Sequence, residues 1–304
     1  MRATPSLEEL NPIIKPRRFL SMPIDYEAAE NFIWSAARLV DRHRYSMLFA
    51  DGPPEPVIDA LSAYRNPDGG FGHALEPDLR CPGSQPTPTL YALEILNEAG
   101  AADGETARDA RAWVASIAEP DGGIPFVLPG FEQYPHAPWF QLGPGSIVTL
   151  ALAAAYHAGG VRSDAWLERA TDYGWRQIET SEQPRGYWLK YALAFLDAVP
   201  DEQRARSTIA SLAARVDISA VAPVGGIEGE TLRPLDLSPQ PGSRSRGLLS
   251  DEEIEAHLDA VESEQQQDGG WMFDWLAWSP AQTTDWRGNV TIRALRWLRE
   301  NSRL

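Results

Sequence analysis

Cysteine is nearly missing. Cys81 is the single one in 304 residues, so no disulfide forms within the chain, and a reducing, cytoplasmic setting is the expectation. Long apolar runs are missing as well. No stretch approaches about 18 apolar residues, which excludes a membrane-spanning helix. The first twenty residues, MRATPSLEELNPIIKPRRFL, hold no apolar core of signal-peptide length. Positive charge is scarce, with 27 Lys and Arg against 43 Asp and Glu. The net charge of -16 repels polyanions, so nucleic acid is not an expected partner. Sustained period-2 alternation, the mark of strands, is absent too.

What is present is a globular balance, 43% hydrophobic and 23% charged, over a length able to bury a core without staples. There is also a recurring turn. NPDGGFG occurs at 66–72, EPDGGI at 119–124 and QQDGGW at 266–271. Asp68 and Asp121 are 53 residues apart, and Asp121 and Asp268 are 147 apart, three further periods of 49. Weaker marks stand at 183–188 (QPRGYW) and 224–227 (VGGI). A spacing near fifty residues is the signature of a repeat architecture.

The segments between the turns have two textures. Glu105–Ile117 and Asp251–Glu264 carry one apolar stripe each, as helices with a face in water do. Leu90–Leu96, Ile147–Tyr156 and Tyr187–Leu196 are apolar nearly all round, as buried helices are. The order is amphipathic helix, Asp-Gly-Gly, Pro-rich loop, then an apolar helix opened near Thr87, Thr89 or Ser146. The expectation is a single all-α domain over residues 1–304: helical hairpins around an axis, with buried helices forming an inner ring and amphipathic ones an outer ring. Residues 1–25 read as an N-terminal arm. Residues 222–249, rich in Pro, Gly and Ser, read as an irregular loop lying over one end.

The Asp-Gly-Gly turns are first a structural device, because glycine takes φ > 0 where a helix ends. GGFG matches neither GxxxxGK[ST] nor GxGxxG, so a phosphate loop is not indicated. DGGFG followed by a loop and TLYALEIL resembles the repeat of protein prenyltransferase β subunits. Gln265, Gly269 and Trp271 match the second half of the QW motif of squalene and hopene cyclases, while Val261 departs from its first half. The pattern over about residues 54–300 is similar to this prenyltransferase and squalene-cyclase repeat superfamily. The resemblance implies an (α/α) toroid of five to six hairpins around an apolar cavity. The superfamily's catalytic signatures are missing: there is no Asp-Asp pair for DxDD, and QPTPTLY lacks the zinc ligands of D-x-C. Asp78-Leu79-Arg80-Cys81 is the nearest approach to them, and no metal or other cofactor is expected.

Chemistry is expected in three loops between the turns and the inner helices. Glu76, Asp78, Asp285 and His136 are the candidate acids and bases. His73, Arg80, Tyr134, Trp139, Phe140, Phe273, Trp275, Trp278 and Trp286 are candidate substrate contacts. Aromatic faces stabilise cations, and a carboxyl set among them has a raised pKa and can donate a proton. Structural alternatives stand beside these roles: Asp285 as the cap of the last helix, Glu76 and Asp78 as partners of Arg80, and Trp271 stacked on its own turn. Three function classes follow: a terpene-cyclase-like enzyme acting on an apolar, isoprenoid-like substrate; a carbohydrate-active toroid using a carboxylate pair; and a non-catalytic binding toroid.

Overall fold

The computed structural model describes residues 24–181, 185–216 and 230–304. The described chain is all-α. Its helices are α1 Tyr26–Ala36, α2 Leu39–Phe49, α3 Glu55–Leu61, α4 Pro86–Glu98, α5 Glu105–Ile117, α6 Val148–Ala158, α7 Ala165–Thr180, α8 Gly186–Ala198, α9 Glu202–Ala213, α10 Pro234–Leu237, α11 Asp251–Ser263 and α12 Pro280–Glu300. Among the described residues, β pairing is limited to two isolated bridges, Arg65 with Phe71 and Leu79 with His136.

The outer helices begin where the sequence offers caps. The side chains of Asp25, Asp164, Asp201 and Ser250 accept the N–H groups of Ala28, Leu167, Arg204 and Glu253 at the starts of α1, α7, α9 and α11. Each such cap is worth about 1 kcal/mol. The inner helices are apolar because they are enclosed: every residue of α6 from Val148 to Tyr156 is buried. In chain order the described helices alternate between outer (odd) and inner (even), giving six successive outer–inner hairpin units, and the even ones line a central cavity. The first hairpin has no Asp-Gly-Gly turn, since only Ala37 and Arg38 separate α1 from α2. It therefore left no repeat mark in the sequence.

The three strong turns share one construction. Asp68, Asp121 and Asp268 accept the N–H of the second glycine at 3.0, 3.0 and 3.2 Å. The first glycine has φ of +92, +95 and +90°. The next residue donates its N–H to a buried threonine of the following inner helix: Phe71 to Thr89, Ile124 to Thr149, and Trp271 to Thr291, at 3.0, 2.8 and 3.0 Å. That first glycine also lets the turn dock on the next outer helix. A Cβ on Gly69 would meet Asp109 of α5, and one on Gly122 would meet Arg169 of α7. On Gly269 it would lie 2.0 Å from the carbonyl oxygen of Ala28 in α1. The last turn thus docks on the first helix, and the ring is closed.

Gln265 completes the same seam. Its Oε1 accepts the Asp25 N–H at 2.8 Å, and its Nε2 donates to the Asp25 carbonyl at 2.8 Å and to Gly269 at 3.0 Å. Trp271 does more than stack on its turn: its indole N–H donates to the Val261 carbonyl at 2.7 Å, tying the turn to α11.

Two expectations need correction. Asp285 does not cap α12; Ser279 does, accepting the Gln282 N–H at 3.1 Å, and Asp285 stands a turn further in. Of the loop expected at 222–249, residues 222–229 lie outside the described residues, as does the mark at 224–227. Residues 230–249 build wall rather than cover an end. Buried Leu235 and Leu237 hold the single-turn α10 in the fifth inner position. Arg244 donates to the Leu196 and Val199 carbonyls at 2.7 and 2.9 Å, satisfying the C-terminal end of α8. Of the expected arm, residues 1–25, only Ile24 and Asp25 are described.

Candidate functional site

The inner ring encloses a cavity of about 970 Å³. At the end where the inner helices begin, Tyr91, Phe126, Trp139, Phe140, Trp275 and Trp286 line it with Glu76 and Asp78. Phe126 stacks on Phe140 at 5.1 Å, and Trp275 meets Trp286 edge-on at 5.1 Å. The Trp275 indole N–H is buried without a partner among the described residues.

The loop carrying Glu76 is held from below. Asp41, fully buried, fixes Arg38 at 2.7 Å, and Arg38 donates to the carbonyls of Leu75 and Ala74 at 2.9 and 3.3 Å. His73 and Ala74 both have positive φ, 55 and 62°, an unfavourable conformation for non-glycine residues that these anchors maintain. Asp78 is 3% exposed and accepts the N–H of Trp278 at 3.0 Å and of Gln282 at 2.8 Å. Burial pushes the Asp78 carboxyl up, against the lowering effect of those two donors. Burial pushes Glu76 up further, to about 8, with the neighbouring Asp78 charge acting in the same direction. Both carboxyls are thus raised, and the pair holds a proton near neutrality.

The middle and far end of the cavity are charged, which the aromatic loops did not foretell. Glu94 of α4 projects into the open space and forms no hydrogen bond or ion pair among the described residues. Although Glu94 is open to the cavity space, desolvation by the surrounding walls raises its carboxyl to about 7, against the pull of Lys190 and Arg44. At the far end Glu98 accepts from Arg44 and Arg296, each at 2.7 Å, and Arg296 also bonds Glu300 at 3.2 Å. These arginines hold the Glu98 carboxyl below its usual range although burial opposes them. That network ties α2, α4 and α12 together across the ring's closure.

The structure divides the expected site residues into two groups. Glu76, Asp78, Trp139, Phe140, Trp275 and Trp286 line the cavity. The others do not. Asp285 pairs with Arg80 at 2.6 Å, and Trp278 stands behind the cavity wall as a donor to Asp78. His136 packs edge-on against Phe131 at 4.7 Å, with its Nδ1 2.7 Å from the Tyr134 carbonyl. His73 and Tyr134 are exposed, His73 with its Nε2 3.0 Å from Asn66 Oδ1. Phe273 stacks on Trp275 at 4.6 Å but faces a smaller neighbouring cavity. Among the described residues, no three His, Cys, Asp or Glu side chains are grouped as metal ligands. Cys81 is buried, with its nearest polar contact a 3.9 Å approach from Gln85. No described helix is long and apolar enough to cross a membrane.

No family model matches the sequence, and no curated protein matches it. Solved structures do match in fold. A crystal structure of a protein from Actinoplanes superposes with a TM-score of 0.53 at 16% identity, covering 90% of this chain and 89% of that one. A variant of the type II terpene cyclase MstE from Scytonema, in complex with geranylgeranyl dihydroxybenzoate, gives 0.51 at 16% identity, covering 90% and 87%. Another MstE variant, in complex with merosterolic acid A, gives 0.52 at 16% identity, covering 91% and 87%. The fold is therefore an all-α toroid like that of the terpenoid cyclases. At this identity the likeness carries the architecture, and function has to be argued from the site.

Proposed function

We propose that the chain is a terpene-cyclase-like enzyme that binds an apolar, isoprenoid-like substrate in the central cavity and starts its reaction by proton donation from Glu76. The observation that carries this reading is the Glu76 and Asp78 carboxyl pair set in the aromatic lining of the cavity. An acid works as a donor only if it still holds its proton at the working pH, and burial beside Asp78 provides that for Glu76. Protonating a carbon–carbon double bond leaves a cation, which the faces of Tyr91, Trp139, Trp275 and Trp286 stabilise. Asp78, held by hydrogen bonds from Trp278 and Gln282, stands next to the donor and, where ionised, raises its pKa. The ligands of the MstE structures, a geranylgeranyl compound and merosterolic acid A, agree with a substrate of this class.

The carbohydrate reading has less support. It needed Asp285 opposite Glu76 or Asp78, and Asp285 is engaged with Arg80 outside the cavity lining. A non-catalytic toroid leaves the raised Glu76 pKa without a use.

The test is incubation of the full chain with C15 and C20 isoprenoid alcohols, acids and aryl-prenyl compounds, with products resolved by mass spectrometry. Cyclised or isomerised product of unchanged mass is expected, and Glu76→Gln is expected to reduce its formation at least about a hundredfold. Unimpaired turnover by a folded Glu76→Gln protein would sink the assignment of Glu76.

A further inference from the structure

The chain contains two lysines, Lys15 and Lys190, against twenty-five arginines. Its surface and seam ion pairs are all made by arginine among the described residues. Lys190 instead projects from α8 into the central cavity, where it lies over the Tyr187 ring at 5.2 Å. It forms no hydrogen bond or ion pair among the described residues. Burial lowers its pKa and the Arg293 guanidinium pushes the same way, while Asp236, Glu230 and Glu94 oppose them. An ammonium in a cavity without a hydrogen-bond or anionic partner is expensive to maintain, so a position of this kind signals something that binds there.

Arg293 of α12 faces the same space. Its guanidinium lies against Trp297 at 4.9 Å, and its one ion pair, with Asp236, is long at 3.5 Å. Its Nε is buried without a partner among the described residues. Both cations line the central cavity and a second cavity of about 60 Å³ beside it, at the wall where the fifth inner helix is reduced to the single turn α10. Glu230 is engaged by the hydrogen bond from the Tyr187 hydroxyl, and Glu94 contacts neither cation among the described residues. Lys190 and the Arg293 Nε are thus left without an anionic contact among the described residues, and an added oxyanion would supply it.

We infer that Lys190 and Arg293 form the binding site for an oxyanionic head group, a carboxylate or a phosphate monoester, on a ligand whose apolar tail lies against the aromatic end of the cavity. The inference rests on the apolar-ligand reading above and narrows it: the substrate is an anionic amphipath rather than a neutral hydrocarbon. The head group is anchored away from Glu76, so the tail is presented to the acid.

The experiment is calorimetric titration of the full chain with a C15 isoprenoid alcohol, the matching carboxylic acid and the matching monophosphate. One or both anionic probes are expected to bind about tenfold or more tightly than the alcohol, and the stronger of the two identifies the head group. Lys190→Met and Arg293→Gln are each expected to remove that preference while the alcohol still binds. Should Arg293→Gln fail to fold, Lys190→Met and Arg293→Lys carry the test. Reductive methylation gives an independent readout: mass spectrometry is expected to find Lys190 protected by the preferred anionic probe and not by the alcohol. Equal binding of all three probes, or Lys190 left unprotected, overturns the anion site and leaves the apolar-ligand reading standing. Failure of every probe to bind overturns both.

Discussion

Glu76 and Glu94 are both biased toward the protonated form by burial, but by different surroundings. Glu76 has the Asp78 carboxylate beside it, so removing that charge lets its proton leave more easily. Asp78→Asn is therefore expected to lower the pH at which Glu76 titrates, read by carboxyl NMR or by the alkaline limb of a pH–rate profile. A limb that stays in place or moves upward would contradict the pairing. Glu94, raised from 4.5 to about 7, stays protonated in the folded chain over a window in which the unfolded chain ionises it. Its contribution to stability thus falls as pH rises through that window and is flat above it. Glu94→Gln is expected to melt higher than the parent protein near pH 8 and to match it near pH 4. The difference is about 1 kcal/mol, well below the full shift, because the carboxyl faces an open cavity that screens it. Glu76 and Asp78 were legible in the sequence because they stand in a loop crowded with polar and aromatic residues. Glu94, Lys190 and Arg293 were not, because each is a lone charge inside a helix. Only the closing of the ring decides which way such a side chain faces.

At the scale of the element, the hairpin is set by a short code: Asp-Gly-Gly for the turn, then a threonine on the next inner helix to receive a buried N–H. The turn was legible from sequence. The threonine was visible only as a first-turn residue near Pro88, and its partner became evident once the turn and the helix lay side by side. Thr149 is fully buried, so Thr149→Val keeps the shape but orphans the Ile124 N–H. A loss of about 1–3 kcal/mol in urea denaturation is expected, with an unchanged helical signal. A neutral result would mean that the N–H finds another acceptor. The first, fourth and fifth hairpins lack the Asp-Gly-Gly code, and the fifth departs furthest from it. Its inner member is a single turn, and the segment after it is fastened to the end of α8 by Arg244 rather than by a helix of its own.

For the whole molecule, the deciding contact is the docking of the last turn on α1. Gly269 combines a φ of +90° with a backbone approach that no side chain tolerates, so Gly269→Ala strains the turn and pushes the seam apart. A loss of about 3 kcal/mol and a clearly lower melting temperature are expected. The same substitution at Gly100, also at positive φ (+66°) but with nothing nearby, is expected to cost only about 1 kcal/mol. Comparable losses at the two sites would argue against ring closure through that turn. The sequence by itself determined the all-α class, the period near fifty residues, the alternation of exposed and enclosed helices, and the loops that carry Glu76 and Asp78. All of these follow from local chemistry: glycine at positive φ, one-sided or all-round apolar helices, and caps. The tertiary structure alone decided that the described residues hold six outer–inner helix pairs, that the described inner member of the fifth is the single turn α10, and that the cavity is aromatic at one end and charged at the other. Those depend on residues far apart in the chain meeting across a closed ring, and no local pattern encodes which faces will meet.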